Sequence, residues 1–115
     1  MTQYWLNWGG GSWHVPDHTK QALEDYILRG YTPGSFLTAV LRNDFVNAVC
    51  RADHINAEHL KDIAKWIVNH APAGCWGGDR AIAEWLDDTD GIRSEYYKHH
   101  EQKRMWEILK ETENG

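Results

Sequence analysis

The sequence holds only two cysteines and three prolines. Cys50 and Cys75 form no CxxC pair, which excludes a thiolate zinc ribbon and a thioredoxin-type redox motif. In a reducing compartment they read as two buried thiols. Pro16, Pro33 and Pro72 leave long stretches between them free to be helical. Positive charge is short as well: twelve Lys and Arg stand against seventeen Asp and Glu, for a net charge of −5. That balance excludes general nucleic-acid binding, which needs a cationic surface to replace counterions. Long apolar runs are missing. No segment approaches membrane-spanning length, and the first eight residues lack the basic start and apolar run of a secretion signal. Period-2 alternation is also absent, which argues against strands.

Tryptophan, by contrast, is abundant, with seven in 115 residues. Apolar residues make up 42% and charged residues 25%, the balance of a globular domain with one modest core. Residues 1–15 form an aromatic arm, with Tyr4, Trp5, Trp8 and Trp13 around Gly9-Gly10-Gly11. Its glycines disfavour a helix. Its rings call for packing on the domain or on a neighbouring subunit.

Residues 16–115 read as a single all-α domain of five or six helices. Pro16 and Asp17 open the first helix, Ala22, Leu23, Tyr26 and Ile27 give it an apolar face, and Gly30 closes it. Thr32 or Ser35 is positioned to cap a second helix. Its apolar stripe of Phe36, Leu37, Val40, Leu41, Phe45, Ala48, Val49 and Ala52 admits a break at Asn43-Asp44, where Asp44 would cap a third helix. Asn56 is the expected cap of an amphipathic helix carrying Leu60, Ile63, Ala64, Ile67 and Val68, with Trp66 beside the stripe. After a tight Gly74–Gly78 loop, Asp79 caps a short helix containing Ile82, Trp85 and Leu86. A polar helix then spans 92–112 and ends in Met105, Trp106, Ile108 and Leu109.

Arg42, Asn43, Asp44, Asn47, Arg51 and Asp53 form an unusual run of short polar and cationic residues. Asn and Asp are poor interior helix residues, because their side chains compete for backbone hydrogen bonds. On a continuous helix Asn43, Asn47 and Arg51 would share one stripe. Arg suits phosphate and Asn suits a base or ribose edge. Ser35, at a glycine-serine turn opening a helix, could add anion-binding N–H groups, and Trp76 a stacking ring. The plainer expectation is that Asn43 and Asp44 cap a helix and the arginines are solvated or paired with Asp53. No GxxxxGK[ST] or HExxH motif occurs. Cys75 lacks a positioned base, since Pro72 separates it from His70 and no third group orients that ring. Neither catalysis, a metal nor a cofactor is expected.

Pro33–Asp44 (PGSFLTAVLRND), Arg51-Ala52-Asp53, Gly74–Gly77 (GCWG) and Trp85-Leu86 together resemble a family of small uncharacterised bacteriophage and prophage proteins. The resemblance covers roughly residues 16–86. It implies expression in an infected bacterial cytoplasm and interference with host machinery, and it supplies no catalytic residue. Two functions follow as expectations. In the first, the protein sequesters a nucleotide-derived immune signal without cleaving it, through Ser35, Arg42, Asn43, Asn47, Arg51 and Trp76. In the second, it inhibits a host defence complex through a Trp-rich surface. A homo-oligomer is expected in either case.

Overall fold

The first helix, α1 (Asp17–Arg29), begins where Pro16 leaves its carbonyl to the N–H groups of Thr19 and Lys20, at 3.0 and 2.9 Å. It ends on Gly30 at φ 72°, whose N–H bonds to Tyr26 O while the Tyr31 N–H reaches Asp25 O. Such a left-handed closure favours glycine. A computed structural model describes this helix within Trp5, Leu6, Trp8 and residues 14–101. Every regular element among those residues is helical, so the fold is all-α.

Helix α2 (Ser35–Leu41) starts at Gly34 with no side-chain cap, so neither Thr32 nor Ser35 plays the expected part. It stops because Asn43 adopts φ 66°, a region that Asn tolerates better than most residues. Asp44 then accepts the Asn47 N–H and opens α3 (Phe45–Arg51), as the sequence suggested. The continuous-helix stripe of Asn43, Asn47 and Arg51 therefore does not exist, and α2 and α3 pack together as a hairpin.

Helix α4 (His54–Glu58) is capped by Asp53, which accepts the Asn56 N–H at 2.7 Å. Asn56 is thus not a cap. It is buried and accepts the Thr19 hydroxyl of α1. Helix α5 (Leu60–His70) buries Ile63, Trp66 and Ile67 but leaves Val68 exposed. A 3-10 turn at Ala73–Cys75 leads to α6 (Asp79–Asp87), whose cap position is Gly78 rather than Asp79. A second 3-10 turn, Thr89–Gly91, precedes α7, helical over 92–101. Asp88 accepts the N–H groups of Arg93 and Ser94 at 2.8 and 2.9 Å and so serves the start of α7. The remainder of 92–112, including Met105, Trp106, Ile108 and Leu109, lies outside the described residues.

Leu23, Tyr26, Ile27, Leu41, Ile63, Trp66, Cys75 and Trp85 form the centre of the core. Each large apolar side chain buried there stabilises the fold by about 1.5–3 kcal/mol before entropy is counted. Its polar atoms are satisfied. Tyr26 donates its hydroxyl to Cys75 O at 2.8 Å, and Trp85 Nε1 donates to the carbonyls of Tyr26 and Ile27. Burial pushes the Tyr26 phenol up and the Cys75 thiol up to about 12. Cys50 is exposed, contrary to the expectation of two buried thiols, because it lies on the outer side of α3. No described helix is long and apolar enough to cross a membrane.

Candidate binding groove

Splitting the second helical stretch in two leaves its apolar stripe divided. Phe36, Leu37, Leu41 and Ala48 enter the core, whereas Phe45, Val46 and Val49 of α3 remain exposed, Phe45 by 72%. Beside them a cavity of about 480 Å³ opens between α2–α3 and α5. One wall carries Val40, Asn43, Asp44, Phe45 and Ala48, and the other Leu60, Lys61 and Ala64. Its volume falls in the range of small-molecule sites. Its lining is mainly aliphatic and aromatic.

The expected polar set is only partly gathered here. Arg42 Nη2 donates to Asp44 at 3.0 Å, and the Asn47 side-chain amide donates to the same carboxylate at 2.6 Å. The Asn47 amide, then the Asn47 backbone N–H, and Arg42 hold the Asp44 carboxyl below its usual range. Asp44 therefore stays ionised and draws Arg42 and Asn47 into helix capping. Among the described residues Asp53 holds no arginine; it lies 3.4 Å from His18. Asn43 alone of the predicted ligand-binding residues lines the cavity. Arg51 is exposed at the last turn of α3, and Ser35 is exposed at the first turn of α2. Trp76 is half-buried against the core in a loop tied to α2 by the Gly77 N–H to Leu41 O bond, at 2.7 Å.

Sequence reasoning assigned Val40, Phe45, Ala48, Leu60 and Ala64 to core stripes. A count of apolar positions offered the available signal, since two seven-residue helices cannot bury so many on one side. Lys61 gave no signal. Among the described residues, no group of three or more His, Cys, Asp or Glu is placed to hold a metal ion. No protein-family model, curated protein or solved structure matches this chain.

Proposed function

We propose that this chain is a phage-encoded accessory protein that counters host defence by binding and sequestering a small host molecule in the α2–α3/α5 groove. The carrying observation is the groove itself: about 480 Å³, lined by Val40, Phe45, Ala48, Leu60 and Ala64, with Phe45 left open to solvent. The phage setting comes from the sequence resemblance. The lining sets limits on the ligand. A polyphosphate would meet one cation, Lys61, and an ionised Asp44, so the groove favours an apolar body over a nucleotide. A second reading, direct inhibition of a host defence protein, draws on Phe45, Val46 and Val49, which extend an apolar face beyond the groove. Tryptophan takes no part in that face among the described residues, where the rings are buried or half-buried.

Native mass spectrometry of the full chain recovered from bacteria tests the reading, alongside plaque formation on a defended host. Ala64 is exposed on the groove wall, so Ala64→Trp fills the groove without entering the core. The wild type is expected to carry an adduct released intact on denaturation and to restore plaques, and Ala64→Trp to do neither. A clean mass with a stoichiometric host protein moves the assignment to the second reading. Equal behaviour of both chains removes the groove from the function.

A further inference from the structure

The polar atoms around the groove are not equivalent. Asp44 is occupied by Arg42 and Asn47. Asn43 and Lys61 are on the lining, and neither side chain makes a hydrogen bond or ion pair among the described residues. Asn43 is held at φ 66° by the helix break, which roots its side chain at the rim where α2 ends. Lys61 is an exposed residue in the first turn of α5. An ammonium offers three donors and no acceptor, and an amide offers two donors and one acceptor. These two side chains therefore complement an anionic head with acceptor oxygens. The rest of the lining, Val40, Phe45, Ala48, Leu60 and Ala64, complements a hydrocarbon body. Asp44, the other charged residue of the lining, is already paired by Arg42 from outside it, which leaves Lys61 as the unpaired charge of the lining among the described residues. One cation suits a single negative charge. Apolar contact supplies most of the affinity in such a site, and a few placed polar groups set the orientation.

Resting on the groove reading above, we infer that the ligand class is an aliphatic monocarboxylate, its chain against Val40, Phe45, Leu60 and Ala64 and its carboxylate accepting from Lys61 and Asn43. The single-point cation and the alkyl wall select against two near neighbours. An alkylammonium of the same length places like charge beside Lys61. A polyphosphorylated ligand carries more negative charge than one lysine offsets.

Titration calorimetry of the full chain with dodecanoate and dodecylammonium, both below their micelle concentrations, and with inorganic triphosphate tests the assignment. Dodecanoate is expected to bind at one site per chain, and the other two probes not to bind. Lys61→Glu should weaken dodecanoate about tenfold or more, the scale of one charge-assisted hydrogen bond. Lys61→Arg should retain binding, and Ala64→Trp should abolish it. Lys61 and Ala64 are both exposed, so these variants keep the core intact. Dodecylammonium binding as tightly as dodecanoate overturns the inference, as does a Lys61→Glu variant of unchanged affinity. If alkyl binding then remains sensitive to Ala64→Trp, the groove reading survives its ligand class. Alkyl binding indifferent to Ala64→Trp sinks both. No binding of any probe refutes the monocarboxylate and leaves the adduct experiment to judge the groove.

Discussion

Glu24 shows how one side chain turns the amino-terminal arm into part of the core. It is 2% exposed, on α1, and its carboxylate accepts the backbone N–H groups of Trp5 and Leu6 and the Trp8 indole Nε1–H, at 2.9, 3.3 and 2.8 Å. Trp8 also stacks on Trp66 with ring centroids 3.9 Å apart, and Lys20 Nζ lies 5.9 Å from its ring. Trp8→Ala should lower the stability of the chain by about 3–5 kcal/mol, through the lost ring and the lost donor to Glu24. Trp8→Phe should fall between, since it keeps most of the stack and loses the N–H. Urea unfolding reads both, and an unchanged midpoint for Trp8→Ala would show that the arm adds nothing to the core. The two thiols are distinguished at the same scale. Cys50 is exposed, whereas Cys75 is fully buried with its thiol pushed up to about 12. Because the thiolate is the reacting form, a thiol reagent at neutral pH should label one cysteine in the native chain and two in denaturant. Two rapid labels in the native chain would contradict the burial of Cys75.

Short helices depend heavily on their ends, and here carboxylates secure several of them. Asp53 caps α4, and Asp53→Ala is expected to cost about 1 kcal/mol. Asp44 and Asp88 carry a pH signature. Both carboxyls are held below their usual range, Asp44 first by the Asn47 amide and Asp88 first by the Ser94 hydroxyl. A carboxyl lowered in the folded state contributes stability that is fully present above its unfolded value, about 4, and is lost as pH falls through the folded value. Asp44→Ala should therefore melt at lower temperature than wild type at pH 7, with the gap closing below the carboxylate range. A gap that stays constant down to pH 2 would rule out the ionised cap. The cap was legible in the sequence because Asn43-Asp44 interrupts an otherwise apolar stretch. Asp53, rather than Asn56, was not recognised as the next cap, because both residue types suit the position. What separated them was burial, with Asn56 drawn inward to Thr19 of α1.

At the scale of the whole molecule, the exposed face of α3 is a feature that stability does not explain. Phe45→Ser with Val49→Ser should change the unfolding free energy by only about 0.5 kcal/mol per site, since surface substitutions usually stay within that range. Binding of an environment-sensitive apolar dye to the native chain should drop at the same time. A large loss of stability would mean that α3 is already covered in solution, as by the expected second copy. Much of the architecture was determined by the sequence alone: the all-α class, the α1 boundaries set by Pro16 and Gly30, and the apolar faces of α1 and α6, while the sequence admitted both a break at Asn43-Asp44 and a continuous helix. Those features rest on local rules of φ preference, capping and 3.6-residue periodicity, which operate within a few residues of the chain. The groove, the burial of Glu24 under the arm and the separate fates of Cys50 and Cys75 were decided by tertiary structure. Each depends on which helix meets which, and periodicity marks an apolar stripe without saying how much of it a neighbour will cover.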